Sequence, residues 1–421
     1  MGKRSVQVFL LVSLITLSLV IVSPTRAFSR TITVPDDYST ITAALRYASS
    51  GDTVYVKSGI YEEPSLVINK QISLIGENPN STIIYDTDPL LISPPTLQFP
   101  AVKSSTIKIE SDNVKVSGFT LTGGANGVAG SGDRTQIEGN IMPYGGVDLK
   151  GSSQIITQNI IKNENGIRLQ GFNNNITDNK IFYGVISLEG KSSYNTIYGN
   201  TIEDGLVALS GDRNVIAKNN ITNLLSYILI EGSYNTVYGN RLTDGSGFAI
   251  SAGYNNTFYA NYLANNRAGA LIGGSQSDVA FEASGPMAYN NTLYHNNFIN
   301  NTQQVFRDYP VYGTNFFDNG KEGNYWSDYA GNDTNGDGIG DWPYIIDATR
   351  RDNYPLMLPF DIENNTIVVP SQETPPETET PPTTALVTAT VAVLAIAGIG
   401  LAVYIRRHRF RLKAEKERNS I

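Results

Sequence analysis

The segment Tyr194-NTIYGNTI, residues 194–202, decides the fold, because its pattern keeps returning. Aligned with it are Arg134-TQIEGNI, Ser153-QIITQNI, Asn174-NITDNKI, Arg213-NVIAKNNI, Tyr234-NTVYGNRL and Tyr254-NNTFYANYL, with a further copy at Tyr289-NNTLYHNNF. The shared column reads Asn140, Asn159, Asn179, Asn200, Asn220, Asn240 and Asn261, spaced 19 to 21 residues apart, with Asn296 as its eighth member. A degenerate copy, Val114-KVSGFTL, precedes them.

A period near 20 that holds two or three short β-prone stretches describes one coil of a solenoid. Ile197 and Ile202 flank the asparagine as an inward pair, and Val207-Ala208-Leu209 follows as another strand. Alternation turns Val207 and Leu209 to one side and Ala208 to the other. No single coil buries its apolar side. Stacking coils about 4.8 Å apart pairs every backbone group with the coils above and below. The expectation is an all-β protein: a single-stranded, right-handed parallel β-helix of about a dozen coils, roughly 55–60 Å tall. The asparagine column is structural on this reading. Asn tolerates the left-handed backbone of a sharp corner, and stacked amides bond along the axis. Leucine-rich repeats share the period but need a leucine pattern that is absent, and a propeller needs about twice the period.

The ends of such a stack need covers. Thr31-Ile-Thr-Val reads as a strand. Asp36, Asp37 and Ser39 offer helix-capping oxygens before Thr40-ITAALRYA, a short helix that ends near Gly51. Two insertions break the period. One, Asp86 to Ser105, carries Leu90, Leu91 and Phe99; the other includes Gly273-GSQSDVAFEASGP. Long loops on a rigid stack form rims of binding sites or seal an edge.

Outside the coils, both termini are apolar. Lys3 and Arg4 precede an uncharged run from Val6 to Val22, and Thr25-Arg26-Ala27 offers cleavage before Phe28. Residues 1–27 read as a secretory signal peptide, the alternative being an uncleaved anchor. Ala385 to Ile405 has no charge over 21 residues. That is about 31 Å of helix, which matches a hydrocarbon core. Arg406, Arg407, Arg409, Arg411 and Lys413 follow at once, which puts residues 406–421 in the cytoplasm and the body outside. Residues 28–310 then form the β-helix and 311–360 a C-terminal module. Residues 361–384, with Pro370, Pro375, Pro376, Pro381 and Pro382 among Thr and Glu, form an extended stalk. Exported topology opens the sequons at Asn80, Asn175, Asn220, Asn255, Asn290, Asn300, Asn332 and Asn364 to glycosylation, although an Asn- and Thr-rich ladder also makes sequons by chance.

Composition narrows the chemistry. A net charge of −8 argues against a nucleic-acid binder, and the absence of cysteine removes disulfides and thiolate metal sites. The opening Thr33-Val-Pro-Asp-Asp-Tyr-Ser-Thr-Ile, Gly51-Asp-Thr-Val-Tyr-Val and Gly59-Ile-Tyr-Glu resembles the start of NosD-type proteins, within the pectin-lyase-like β-helices of carbohydrate-binding proteins and sugar hydrolases. The closing Gly323-Asn-Tyr-Trp-Ser-Asp-Tyr, Asp333-Thr-Asn-Gly-Asp-Gly-Ile-Gly-Asp and Asp352-Asn-Tyr-Pro-Leu is similar to the end module of archaeal NosD-like surface proteins. The resemblance covers about Thr31 to Phe360. It implies fold rather than activity, because the family hosts many roles. Its name implies a link with copper-enzyme maturation. Against a copper site stand the lack of Cys, only two His (His295 and His408) and four Met that include the initiator.

Three constellations carry candidate chemistry. Asp333, Asn335, Asp337, the Ile339 carbonyl and Asp341 match positions of a Ca²⁺ loop, with Tyr344 where an EF-hand has Glu and Asp347 as a substitute oxygen. A metal-free Gly-Asp turn is the alternative. A second set is a double column of tyrosines: Tyr194, Tyr234, Tyr254 and Tyr289 at one position, and Tyr198, Tyr238, Tyr259 and Tyr294 at the next, with Arg213 and Lys218 in the intermediate coil. An exposed aromatic strip suits stacking on sugar rings; tyrosines that merely cover the coil are the alternative.

Outward residues of the second strand make the third: Asp148, Lys150, Arg168, Gln170, Ser187, Glu189, Ala208, Ser210 and Glu231. Hydrolysis uses two carboxylates roughly 5–9 Å apart, and Glu189 and Glu231 lie two coils, about 9.6 Å, apart. With Arg168 or Lys150 they outline a polysaccharide-active site; an ordinary solvated face is the alternative. The signatures of polygalacturonase, pectin methylesterase and pectate lyase are missing. The reading favoured is therefore a membrane-anchored surface protein that binds glycan or builds the envelope without catalysis. The rivals are a polysaccharide hydrolase or lyase and a plain structural spacer.

Overall fold

The computed structural model describes residues 29–88, 104–224, 226–273, 288–306 and 314–364. The signal-peptide, membrane-span and tail assignments, the stalk beyond residue 364 and the centres of both insertions lie outside them. Among the described residues no helix is long and apolar enough to cross a membrane.

The chain winds as a right-handed parallel β-helix with three faces. Among the described residues faces 1 and 2 hold 12 strands each and face 3 holds 11. One coil shows the plan. Thr196–Tyr198 lies on face 1, Thr201–Glu203 on face 2 and Leu206–Leu209 on face 3. Each strand pairs in parallel with the equivalent strand of the next coil, as Ile197 with Ile216, Ile202 with Ile221 and Val207 with Ile228. Ile197, Ile202, Val207 and Leu209 are buried, while Ala208 is half-buried on the outer side. Each such aliphatic contributes about 1.5–3 kcal/mol of burial, so a coil is held by its neighbours and not by itself.

At most corners between faces 1 and 2 and between faces 3 and 1, a residue in the left-handed region is followed by a buried asparagine. Between faces 1 and 2 the left-handed residues include Gln158, Asp178, Lys218 and His295. The buried asparagine after each bonds to the one in the next coil: Asn140 through Asn159, Asn179, Asn200, Asn219, Asn240, Asn261 and Asn296 to Asn324. Two expectations are corrected here. The ladder member is Asn219 and not Asn220, because this coil is one residue shorter; Asn220 faces solvent between Thr201 and Arg241. The bend is also made by the residue before the asparagine, which leaves the asparagine free to serve as an internal strut.

The sequence reading missed a second ladder, between faces 3 and 1. It runs from Gln154 through Asn174, Asn195, Asn214, Asn235, Asn256 and Asn291 to Asn315. Both ladders continue from one side of the second insertion to the other, Asn256 to Asn291 and Asn261 to Asn296, so the stack is unbroken there.

In each ladder an amide nitrogen donates toward the next coil, so the first ladder ends on unspent donors at Asn324. Asp352, fully buried, receives them: its Oδ2 accepts from Asn324 N at 2.7 Å and Trp326 Nε1 at 2.8 Å, and its Oδ1 from Tyr354 N at 3.0 Å. Burial pushes this carboxyl up to about 6 despite those donors. A Cβ on Gly323 would sit 1.8 Å from Asp352 Oδ1, so glycine is required there. Trp326 and Tyr344 stack in turn on Phe298 of the last full coil, at 4.4 and 4.3 Å.

At the other end, the helix Ile41–Tyr47 buries Ile41, Ala44 and Leu45 in the core. Its N-cap is Thr40, which accepts from Ala43 N, and the Glu63 carboxylate accepts from Ile41 N at 2.6 Å. Asp36 and Asp37 do other work than the capping expected of them. Asp37 closes a turn onto Thr33, and Asp36 pairs with Lys57.

Candidate functional site

Outward residues at the ends of the face 1 strands form the column Tyr198, Ala217, Tyr238, Tyr259 and Tyr294. The outward direction was legible, but the openness was not. Tyr238 is 8 % and Tyr259 4 % exposed. The chain itself covers them. After the C-terminal module it runs back along the flank, and Phe360 and Ile362 pack on the cluster of Ala217, Tyr238, Tyr259 and Ala260. Phe360 stacks on His295 at 4.2 Å and is bracketed by Asn297, which accepts from Phe360 N at 2.7 Å and donates to Phe360 O at 2.8 Å. Burial pushes the Tyr259 phenol well above its ordinary value. Of the four tyrosines expected to bind ligand here, Tyr198 alone stays exposed, Tyr294 is half-buried, and Tyr238 and Tyr259 are removed. Lys218 does not share the column, since Ala217 pairs with Tyr198; its ammonium lies 5.9 Å from the Tyr198 ring centre.

The other tyrosine column is open. At the corner between faces 3 and 1, Tyr194, Arg213 and Tyr234 hold the left-handed position in successive coils. Tyr254 and Tyr289 sit one position earlier, since Asn255 and Asn290 take that bend. Their side chains nevertheless form one file. Arg213 lies 5.8 Å from the Tyr194 ring centre and 5.0 Å from that of Tyr234. Tyr234 meets Tyr254 edge-on at 5.4 Å, and Tyr254 stacks on Tyr289 at 5.1 Å. Tyr234 and Tyr289 are 41 % and 40 % exposed.

Face 3 borders this corner. Asp148 pairs in register with Arg168, Lys150 with Gln170, and Arg168 with Ser187. Glu189, Ser210 and Glu231 continue in successive coils just past the strands, where each amide bonds back to the coil below. Glu189, Glu231, Arg168 and Lys150 are all exposed, and Glu231 accepts from Ser251 Oγ at 3.3 Å. Ser210 stands between the two glutamates, with its hydroxyl on Gly190 O at 2.8 Å.

In the loop expected to hold Ca²⁺, the oxygens cap the loop's own amides. Asp333 accepts from Gly336 N and Gly338 N, Asp337 from Ile339 N, and Asp341 from Thr334 N. Asn335 accepts from Asp337 N. Burial acts to raise Asp347, but bonds from Thr349 and Arg350 hold it at about 2. The sequon asparagines Asn80, Asn175, Asn220, Asn290, Asn300, Asn332 and Asn364 are exposed; Asn255 is half-buried and accepts from Asn290.

Three stacked faces joined by amide ladders define a parallel β-helix. The chain belongs to the NosD family, described as "Periplasmic copper-binding protein (NosD)", whose model matches residues 46–290 and 205–331. No curated protein matches it in sequence. Among solved structures it is similar to a PL6 alginate lyase, at 12 % identity and TM-score 0.44, with 70 % of this chain and 51 % of that chain covered. It thus spans about half the length of that lyase. It is also similar to the catalytic domain of a GH87 α-1,3-glucanase in complex with tetrasaccharides, at 12 % identity and TM-score 0.49, with 71 % and 69 % covered. A third is the A-module of an Azotobacter vinelandii mannuronan C-5 epimerase, at 16 % identity and TM-score 0.41, with 66 % and 88 % covered.

Copper, which the family description names, does not fit the donors among the described residues. Among the described residues no three His, Cys, Asp or Glu side chains come together as a ligand set. His295 holds Glu322 at 2.6 Å and stacks on Phe360, and Met142 is fully buried in the core. His408 lies outside the described residues.

Proposed function

We propose that this NosD-family chain is a membrane-anchored, outward-facing β-helix that binds glycan without cleaving it, along the corner between faces 3 and 1. One observation carries the reading: the file from Tyr194 to Tyr289 is continuous and partly exposed, whereas the column through Tyr238 and Tyr259 is sealed. Phenol rings on a rigid edge offer sugar rings apolar faces and a polar rim. The test is binding of the purified full chain to a glycan array, followed by titration of the best ligand. Tyr234→Ala is expected to weaken that ligand about tenfold or more. No binding by the native chain, or native affinity in Tyr234→Ala, overturns the proposal. Release of shortened glycan, abolished in Glu189→Gln, replaces it with the polysaccharide-cleaving alternative at Glu189, Glu231, Arg168 and Lys150.

The remaining parts of this reading rest on the sequence. Residues 1–27 direct export, 361–384 hold the body off the surface, 385–405 span the membrane and 406–421 stay in the cytoplasm. The helix Ile41–Tyr47 covers the first coil, and sugars decorate the exposed sequons. Ca²⁺ orders the loop through Asp333, Asn335, Asp337, the Ile339 carbonyl and Asp341; identical calorimetric traces for the native chain and Asp337→Ala end that assignment.

A further inference from the structure

Within the corner file one member is not aromatic. Arg213 takes the place held by Tyr194 below and Tyr234 above, and its guanidinium lies over both rings, at 5.8 and 5.0 Å. A guanidinium that lies over two rings keeps its fork of N–H groups as its polar surface. That fork has no protein partner: among the described residues Arg213 makes no ion pair, and its side chain makes no hydrogen bond. The neighbouring Asp212 is engaged elsewhere, its Oδ1 accepting from Ser233 N at 2.7 Å. Compare the hollow of about 380 Å³ on face 1 lined by Lys115 and Arg134. There each cation is already matched, Lys115 by Glu138 at 2.6 Å and Arg134 by Asp112 at 3.4 Å.

A planar fork placed between two rings and without a protein partner is suited to a planar carboxylate, which such a fork binds through two parallel N–H···O bonds. The rings beside it stack on the sugar that carries the carboxylate. We infer that Arg213 is the acid-reading subsite of this corner, and that the glycan it takes contains uronic acid. The inference rests on the glycan-binding reading and names its ligand class. A chain of net charge −8 repels a polyanion at long range, so recognition depends on this local cation and weakens with added salt.

The experiment titrates the purified full chain with polygalacturonate and with the same polymer after reduction of its carboxyl groups. The native chain is expected to prefer the acidic polymer about ten- to a hundredfold. Arg213→Gln removes that preference while keeping the weaker binding of the reduced polymer. Arg213→Lys, with the charge but not the fork, recovers only part of it. Arg241→Gln, which loses an exposed cation stacked on Tyr262 at 4.1 Å on face 2, leaves the preference intact. Equal affinity for both polymers in the native chain sinks the acid reading but leaves glycan binding standing. An unchanged preference in Arg213→Gln, or its loss in Arg241→Gln, also sinks it. Binding of neither polymer, with none on the array, removes the parent proposal instead.

Discussion

Two adjacent asparagines should respond very differently to the same substitution. The Asn219 side chain accepts from Asn200 N at 2.9 Å and from Asn200 Nδ2 at 3.0 Å, and it donates to Ile197 O at 3.0 Å and to Asn240 Oδ1 at 2.9 Å. In Asn219→Ala the buried Asn200 N–H has no acceptor, which costs about 1–3 kcal/mol. Asn200 Nδ2 keeps Ile176 O and Tyr198 O, and Asn240 Oδ1 keeps the Asn219 N–H, so those groups are not stranded. The three further lost bonds add about 1 kcal/mol each. The sum is about 4–6 kcal/mol. Asn220→Ala removes an exposed side chain and should stay within about 0.5 kcal/mol of the native chain. Urea unfolding followed by circular dichroism reads the difference as a shift of midpoint at constant slope. A stack can unfold in stages, so limited proteolysis should be run beside it, with cleavage beginning near the middle coils in Asn219→Ala. Equal midpoints for the two variants, or greater damage from Asn220→Ala, would refute the assignment of the internal strut.

Other outcomes follow from the ends of the stack. Asp352 holds its proton to about pH 6 when folded, against an ordinary 3.8, so folding keeps a proton that the unfolded chain has lost between these values. Stability should therefore fall by about 3 kcal/mol as pH rises from 3.8 to about 6, and a flat profile in that window would contradict it. Asp347 has the opposite sign lower down, costing stability as pH falls from 3.8 toward 2. Gly323→Ala drives a methyl group into Asp352 and should unravel the Asn324–Trp326 end first, seen as fast amide exchange there while the central coils stay protected. Phe360→Ala strips cover from Tyr259 and Tyr294, so ultraviolet titration of the phenols should show ionisation moving down toward the ordinary value of 10; an unchanged curve would mean that Phe360 is not the cover.

The winding was legible because two signals agree, the 20-residue period and the alternation seen in Val207-Ala208-Leu209. Register inside one coil was not, because Asn219-Asn220 offers two equal candidates and only the inward side of the bend distinguishes them. The second ladder was visible in principle. Asn195, Asn214 and Asn235 stand five residues before Asn200, Asn219 and Asn240 in the same repeated segments. Phe360 over His295 was beyond sequence reasoning, since it joins residues 65 positions apart through a contact that no periodicity encodes. That one contact changed the candidate site, by closing the column at Tyr238 and Tyr259 and leaving the Arg213 corner in the open.

The amide ladders give the stack a direction, and with it a grammar of length. Phe119 N–H meets the first Asn140 oxygen at one end, and Asp352 receives the last donors at the other, so the termini are fixed words. Every coil between them ends in the same syllable that it begins with. A tandem duplication of about 20 residues anywhere from Asn159 to Asn240 would therefore insert without disturbing either boundary. Each would lengthen the rod by about 4.8 Å, and relatives should differ in height by whole steps of that size.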